Sequence, residues 1–353
     1  MSVEILCISL FFACLSFQTW AFKTLPSEKW QIIAVIPKRK TGVNLWSAVN
    51  LTFYGFFIAL AYTSSLVVFV LLMGSISISL WISLFIAILI GIICVPASKI
   101  VAVLVEKSRH TFTVGGASFV GVIFSPWILR ILSLWEFKMK FIDEGMIMPI
   151  LSCLVISYAL GEGLGRLGCI SFGCCYGKPV RSCGSVMRKL FAKHAFIFQG
   201  KTKKAVYAGG YENERLVPIQ AITSVIFVLT SIWGMYLFLK GYYNASFIVT
   251  ITITQLWRVF SELLRDDYRG GGKVTAYQLM SIVALLYVLL ISLFMPPAIT
   301  MLPELTKGFH TLWNPIAIIF LNFLWFILFF IFGKSTITGS RVDLYVIKEN
   351  IQI

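Results

Sequence analysis

A glycine-rich stretch with an arginine in an otherwise apolar region could bind a phosphate. The segment GEGLGRLGCISFGCCYGKPV, residues 161–180, ends a strongly apolar run yet carries Glu162 and Arg166. A charged side chain inside a bilayer costs about 2.5–3.5 kcal/mol on insertion scales, so it usually lines a polar cavity. Gly165 and Gly168 would let backbone N–H groups approach a ligand closely. We expect an anion site around Arg166, although close helix packing alone would explain the glycines.

A second charged stretch, TQLWRVFSELLRDDYRGGGK, covers residues 254–273. Gln255, Arg258, Glu262 and Arg265 are spaced three, four and three residues apart, which places them on one face of a helix. Arg258 and Glu262 are four residues apart on this face, a spacing at which opposite charges can pair. Two arginines against one glutamate leave net positive charge on this face, and a planar guanidinium is a natural partner for a phosphate. A self-neutralising buried ion pair is the alternative.

The composition indicates an integral membrane protein. Of the 353 residues 58% are hydrophobic and only 13% are charged, whereas a soluble domain needs far more surface charge. Lys and Arg number 30 against 15 Asp and Glu. In a membrane protein this excess fits anionic lipid head groups or the positive-inside rule. No zinc-finger spacing and no basic stretch interleaved with aromatics is present, so we expect no nucleic-acid partner.

Nine apolar runs are long enough to be membrane spans of about 20 residues. The first has Glu4 and no basic residue at its start, so we interpret it as a retained helix rather than a cleaved signal peptide. The predicted spans are 3–22, 44–73, 80–104, 114–134, 145–172, 217–239, 244–264, 276–296 and 311–333.

These spans predict an all-α integral membrane protein, a polytopic helical bundle with a small extramembrane cap at 176–216. We divide the chain into an extra N-terminal helix and loop, 1–43, a seven-helix core, 44–296, and an extra C-terminal helix and tail, 297–353. The loops on the face that carries the cap contain 22 Lys and Arg, and those on the other face contain five. By the positive-inside rule the cap face should be cytoplasmic.

The chain resembles the prolipoprotein diacylglyceryl transferase family. The likeness covers roughly residues 44 to 296, and its short motifs occur in the family's order. They are FYGFFIALAY at 53–62, VGGASFVGVIFS at 114–125, GEGLGRLGCISFGCCYGKP at 161–179, VPIQ at 217–220, RVFSELLRDDYRG at 258–270 and TAYQLMSI at 275–282.

The resemblance implies an enzyme of the bacterial cytoplasmic membrane that moves the diacylglyceryl group of phosphatidylglycerol to the lipobox cysteine of a prolipoprotein. Glycerol-1-phosphate leaves, so fixed cations should stabilise the developing charge. The family places its motif face outside the cytoplasm, in conflict with the charge count. The implied catalytic residues are Arg166, Arg258 and Glu262, with Glu262 orienting Arg258 or transferring a proton. The implied substrate-binding residues are Tyr54, Gly115, Gly116, Ser118, Gly165, Gly168, Cys174, Cys175, Tyr176, Lys178, Gln220 and Arg265.

Departures from the family pattern leave the acceptor open. The histidine of the family, often viewed as a base, is replaced by Val120, which cannot accept a proton. Cys169, Phe172 and Cys174 stand where the family has two asparagines and a glutamate, as in a cysteine-rich branch of the family. Another acceptor, or a non-enzymatic lipid-binding or transport role, therefore stays possible. His110 could be a substitute base, but a solvated loop histidine is the favoured interpretation.

Eight cysteines raise the question of bridges and metals. Those within spans are interpreted as small apolar fillers. Cys174 or Cys175 could pair with Cys183 on an oxidising face, and a thiolate near Arg166 and Lys178 would have a lowered pKa. Since there is no second pair of cysteines and no nearby histidine except His194, we expect no metal site, and the resemblance implies no cofactor.

Overall fold

The computed structural model describes residues 2–107, 112–134, 142–272, 274–295, 298 and 301–351. Long helices make up most of this part of the chain, with short helices and two small sheets at the ends of the bundle. The helices are α1 (Val3–Thr24), α2 (Phe53–Ser75), α3 (Leu80–Glu106), α4 (Val114–Leu134), α5 (Ile147–Phe172), α6 (Ser185–Phe191), α7 (Lys204–Tyr207), α8 (Ile219–Leu239), α9 (Tyr243–Glu262), α10 (Ala276–Ser292), α11 (Leu305–Leu312) and α12 (Pro315–Gly333). The strands are β1 (Ile32–Lys40), β2 (Leu45–Thr52), β3 (Phe196–Ile197), β4 (Arg215–Leu216) and β5 (Lys334–Asp343).

Each of the nine predicted spans coincides with a long helix, which confirms the polytopic helical fold. Seven of these helices, α1, α2, α3, α4, α5, α8 and α12, are long and apolar enough to cross a membrane. Helix α10 is apolar but has only 17 residues, and α9 carries Gln255, Arg258 and Glu262. The polar residues of α9 account for its lower hydropathy, as expected for a helix that faces a polar interior.

The sequence did not predict the strands. Antiparallel β1, β2 and β5 form one sheet with β2 in the centre, and β3 pairs with β4 in the cap. The predicted span 44–73 therefore starts too early, because the apolar strand β2 runs directly into α2 and the two give one continuous hydropathic run. The sheet also joins all three proposed divisions of the chain, since β1, β2 and β5 come from one division each.

Helix α5 forms the centre of the bundle. It packs against α2, α8 and α9, and nearly all of its residues are buried. Gly163 permits the contact with α8: a Cβ there would lie 2.9 Å from Val228 Cγ2, and the carbonyl of Gly163 accepts a hydrogen bond from Ser224 Oγ at 2.7 Å. The N-terminal helix joins the same contact, because Gln18 Nε2 donates to Ser224 Oγ at 2.9 Å. The glycine-rich segment of α5 is therefore also a packing surface.

A buried lysine fastens the cap to the bundle. Lys203 is fully buried, and its Nζ donates to the carbonyls of Leu25, after α1, and Ser171, in the last turn of α5. These carbonyls belong to helix ends that have no further helical partner. Burial lowers the pKa of Lys203 from 10.5 to about 7, although the Glu28 carboxylate opposes this shift.

Thermal stability is expected to rise between pH of about 7 and 10.5, because in this window the unfolded lysine still binds a proton and the folded one does not. Below this window both states are protonated, so the contribution stays constant. Lys203→Met is expected to remove this part of the pH dependence and to lower stability by about 1–3 kcal/mol, since two carbonyls lose their donor. Thermal midpoints across pH measure both effects, with the exposed Lys201→Met as a matched control. An unchanged pH profile for Lys203→Met would contradict this assignment.

Candidate functional site

A buried carboxylate joins the two arginines that the sequence singled out. Glu162, on α5, accepts hydrogen bonds from Arg166 Nη2 through Oε1 and from Arg258 Nη2 through Oε2. Tyr158 donates its hydroxyl to Glu162 Oε2 at 2.7 Å and accepts from Arg258 Nε at 3.0 Å. The side chains of Glu162, Arg166 and Arg258 are 2%, 11% and 12% exposed. We call these four residues the arginine cluster.

The alternative interpretation, an ion pair between Arg258 and Glu262, does not fit the contacts of Arg258. Within the described residues no ion pair joins Arg258 and Glu262. The Arg258 side chain turns towards α5 and pairs with Glu162 there. Glu262 Oε2 instead accepts from Thr275 Oγ1 at 3.2 Å, and Arg265 Nε lies 3.9 Å from Glu262 Oε1. Glu262 therefore does not orient Arg258 in this structure. A part in proton transfer stays a prediction.

A second ionic cluster follows the end of α9. Asp267 accepts from Arg265 Nε and Nη2, both at 2.9 Å, and from Arg269 Nε at 3.1 Å. Burial alone would raise the pKa of Asp267, but the guanidinium groups of Arg265 and Arg269 outweigh it and hold that pKa below its usual range. These two arginines are matched by Asp267 and Glu262. The charges of the second cluster are thus paired with one another, and we interpret this cluster as structural.

Gly115 and Tyr277 connect the two clusters. A Cβ on Gly115, in the first turn of α4, would lie 2.6 Å from the Tyr277 ring and 3.3 Å from Arg258 Nη1. The Tyr277 ring also lies under the Arg269 guanidinium, with 4.8 Å between the ring centroid and Cζ. Its hydroxyl donates to Glu106 at 2.8 Å. Helices α3, α4, α5, α9 and α10 therefore meet around one polar region.

Three thiols border this region where α5 ends. The Sγ atoms of Cys169, Cys174 and Cys175 lie within 4.8 Å of one another, and all three cysteines are free. Hydrogen bonds from Cys169 and Cys174, and the charges of Arg265 and Arg269, lower the pKa of Cys175 well below its usual range. The predicted lowering holds for Cys175 but not for Cys174, because hydrogen bonds with Cys169 and Cys175 raise the pKa of Cys174 well above its usual range. Lys178 is exposed and is not among the main causes of the shift at Cys175.

Other predicted residues support the thiol region. Gln220 Nε2 donates to the carbonyl of Cys174 at 2.9 Å. A Cβ on Gly168 would lie 3.2 Å from the carbonyl oxygen of Tyr54, whose ring packs against Phe172 with 5.7 Å between centroids. Gln220, Gly168 and Tyr54 therefore position the end of α5.

The remaining predicted residues have packing contacts away from the arginines. A Cβ on Gly116 would meet the Val101 side chain at 2.5 Å, and one on Gly165 would meet Ala61 Cβ at 3.7 Å. Ser118 Oγ donates to the Gly115 carbonyl within α4. Tyr176 belongs to the apolar core of the cap, and the backbone of Lys178 bonds to Leu264 and Val217. Their substrate contacts stay predictions.

The arginine cluster is suited to hold one monovalent anion. One carboxylate against two guanidinium groups leaves a net charge of +1 in a buried setting, where electrostatic interactions are strong. Among the described residues none accepts a hydrogen bond from Nη1 of Arg166 or Arg258. These N–H groups are available to a phosphate, which guanidinium groups bind with charge-assisted hydrogen bonds.

Sequence reasoning missed several partners of these arginines. Glu162 stands four residues before Arg166, and this helical spacing could have identified the pair. Its contact with Arg258 joins residues 96 positions apart, which no local pattern reports. Asp267 and Arg269 lie in the charged stretch 254–273, but they come after Arg265, the last residue of the helical face from which the site was predicted. Tyr158 and Tyr277 gave no signal of their own, and Cys169 was noted only as a departure from the family pattern.

Two positions were considered for the general base, Val120 and His110. Val120 lies half-buried on α4 and offers no proton acceptor. His110 lies outside the described residues.

Comparison with known proteins agrees with the predicted resemblance. The family model described as prolipoprotein diacylglyceryl transferase matches residues 42–294. A curated relative, the phosphatidylglycerol–prolipoprotein diacylglyceryl transferase of Clostridium tetani (strain Massachusetts / E88), is 30% identical over 126 residues. That alignment covers 35% of this chain and 44% of the relative, less than half of its length. No solved structure matches the chain.

Proposed function

Because this chain belongs to the prolipoprotein diacylglyceryl transferase family, we propose that it transfers the diacylglyceryl group of phosphatidylglycerol to the lipobox cysteine of a prolipoprotein. The observation that carries this proposal is the buried arginine cluster with its net charge of +1. The phosphodiester of phosphatidylglycerol carries one negative charge, so the two would neutralise each other. The cluster lies among helices of a bundle with seven candidate membrane spans, which makes a phospholipid the natural source of such a phosphodiester.

In the proposed reaction the acceptor thiolate attacks the glycerol carbon next to the phosphate. A carbon–sulfur bond forms, the carbon–oxygen bond to the phosphate breaks, and glycerol-1-phosphate leaves with the bonding electrons. Negative charge grows on the phosphate oxygen, where the Nη1 groups of Arg166 and Arg258 can stabilise it. Glu162 and Tyr158 hold the guanidinium planes in place beforehand, so little reorganisation is needed during the reaction.

The test is product analysis with purified protein, phosphatidylglycerol vesicles and a lipobox peptide. We expect release of glycerol-1-phosphate together with a peptide that carries a thioether-linked diacylglyceryl group. A peptide with serine in place of the lipobox cysteine is the control and should give neither product. Absence of both products with the cysteine peptide would refute the proposed acceptor.

Val120 motivates one alternative within the same chemistry. Without the histidine of the family, the acceptor could be one that needs no such base, and lipid consumption would then occur with a non-lipoprotein acceptor. Release of glycerol-1-phosphate that requires a cell extract but no lipobox peptide would favour this alternative. Phosphatidylglycerol binding without any release would favour a lipid-binding or transport protein.

We place the protein in the bacterial cytoplasmic membrane with the cap outside the cytoplasm. The charge count opposes this orientation, but basic residues recruited to hold anionic lipid would account for the excess. Labelling of a cysteine introduced in the cap segment 176–216 by a membrane-impermeant reagent in intact cells tests the orientation. Labelling only after the cells are opened would reverse it.

Gly115→Ala is expected to slow transfer by about tenfold or more. The new Cβ would collide with the Tyr277 ring at 2.6 Å and press on Arg258 Nη1. A displacement of about 1 Å in a catalytic group can cost 10²-fold in rate. Gly91→Ala is the matched control, because no atom lies within 4 Å of its Cβ position. It should keep full activity and gain about 0.5–1 kcal/mol of stability, as alanine favours the helix. Equal activity of both variants would contradict the expected role of Gly115.

A further inference from the structure

The bond-making and bond-breaking steps of the proposed transfer reaction use none of the three thiols at the end of α5. Cys169 lies in the last turn of the helix, and Cys174 and Cys175 lie in the loop that leads to the cap. Their sulfur atoms lie within 4.8 Å of one another, although four residues separate Cys169 from Cys174. The backbone explains how they come together.

The way α5 ends brings the first two sulfurs together. Gly173 adopts a left-handed conformation, with φ of 72°, and its N–H bonds to the Ile170 carbonyl at 3.2 Å. The N–H of Cys174 bonds to the Cys169 carbonyl at 3.1 Å. This is a Schellman motif, in which the side chains at the positions of Cys169 and Cys174 contact each other.

Cys175 supplies the third sulfur at an energetic cost. Its φ is +55°, a left-handed conformation that costs a non-glycine residue about 1–2 kcal/mol. Arg269 Nη2 donates to Cys175 Sγ at 3.7 Å. A hydrogen bond of this kind orients a ligand sulfur and favours its thiolate form, as outer-shell donors do at metal sites.

A buried acceptor beside the thiols has no protein partner. Gln220, which holds the Cys174 carbonyl through Nε2, is 1% exposed. Its Oε1 has no hydrogen-bond partner among the described residues. A buried amide oxygen normally has one, so it could accept from a solvent molecule bound at the thiols.

From these contacts we infer that Cys169, Cys174 and Cys175 form a binding site for a thiophilic metal ion, Zn²⁺. A zinc–sulfur distance of about 2.3 Å requires sulfur atoms about 3.7–4.0 Å apart, and the three sulfurs are already near this spacing. Each thiol that is protonated loses its proton on binding, and a water molecule completes the four ligands.

The charge of the surroundings fits such a complex. Three thiolates and one Zn²⁺ carry a net charge of −1. Arg269 lies against Cys175, and Arg166 interacts electrostatically with Cys169 and Cys175. The ion would tie the last turn of α5, three residues after Arg166, to the loop that enters the cap. This inference departs from the expectation from the sequence of no metal site, which considered only paired cysteines and histidines.

The zinc content of the purified, reduced protein tests this inference. We expect one zinc ion per chain in the wild type and in Cys183→Ser, the matched control whose thiol lies in the cap outside the trio. Cys169→Ser, Cys174→Ser and Cys175→Ser should each lower zinc affinity by about 100-fold or more, because each removes a ligand. Zinc binding that survives these substitutions would overturn the site.

A second measurement does not depend on the folding of any variant. Co²⁺ added to the reduced wild-type protein should give the intense charge-transfer absorption of cobalt bound to thiolates, and Zn²⁺ should displace it. Absence of this absorption, or a disulfide within the trio as the stable state of the purified protein, would refute the inference. Neither measurement requires transferase activity, so the outcome is independent of the proposed function.

Discussion

Arg258→Ala is expected to lower the rate of diacylglyceryl transfer by about 10²–10³-fold, the usual effect of removing one preorganised donor to a developing negative charge. Arg258 is 12% exposed, reaches Glu162 from a different helix, and keeps Nη1 available to a ligand. Arg166→Ala should give a loss of similar size, because its guanidinium meets the other oxygen of Glu162. Turnover is measured as glycerol-1-phosphate released per protein.

Arg215→Ala is the matched control for these two variants. Arg215 is exposed in the cap and donates to the Ala192 carbonyl. Its removal takes away one positive charge without touching the arginine cluster, so turnover should stay close to that of the wild type. A transfer rate that survives both Arg166→Ala and Arg258→Ala would show that the chemistry takes place elsewhere.

Glu162→Gln is expected to destabilise the protein by about 3–5 kcal/mol, because breaking a buried ion pair on one side leaves uncompensated charge. Two guanidinium groups would then face each other with only a neutral amide between them. Transfer should also fall, since the arginines would lose the group that aligns them. Phosphatidylglycerol should restore part of the stability, as its phosphate supplies the missing charge.

Glu144→Gln provides the comparison for this prediction. Glu144 also pairs with an arginine, Arg130, at 2.6 Å, but these side chains are 50% and 37% exposed. Exposed pairs contribute about 0–1 kcal/mol, so its removal should change stability little. Thermal unfolding of the two variants in the same detergent measures the difference. Equal midpoints would mean that the Glu162 carboxylate does not hold the two arginines.

The helical part of the fold could be predicted because its long helices are mostly continuous apolar segments, which are visible in the local sequence. Each long apolar run became a helix, since a membrane span must satisfy its own backbone hydrogen bonds. The sheet could not be predicted in the same way. β2 continues into the apolar run of α2, and its partner β5 lies almost 300 residues later in the chain. Strand pairing at that separation leaves no periodic signal in a single sequence.

For the site too, local features could be predicted and tertiary contacts could not. Arg166 and Arg258 were identified from the cost of placing a charge among apolar residues, which is a local argument. The spacing of four residues from Arg258 to Glu262 suggests a pair within one helix. In the structure Arg258 pairs instead with Glu162, on a different helix. The tertiary contact prevails, since there one buried carboxylate pairs with two buried arginines. The cluster of three thiols was missed because the turn at Gly173 brings them together, and their spacing in the sequence does not reveal this contact.

The affinity of the purified protein for phosphatidylglycerol tests the central claim most directly, measured by titration in nanodiscs of a neutral host lipid. If two guanidinium groups from separate helices hold the phosphodiester, Arg166→Ala and Arg258→Ala should each weaken binding by about tenfold or more, since hydrogen bonds to charged groups contribute about 1.5–3 kcal/mol. Arg215→Ala should bind as tightly as the wild type. Undiminished affinity in both cluster variants would contradict the account.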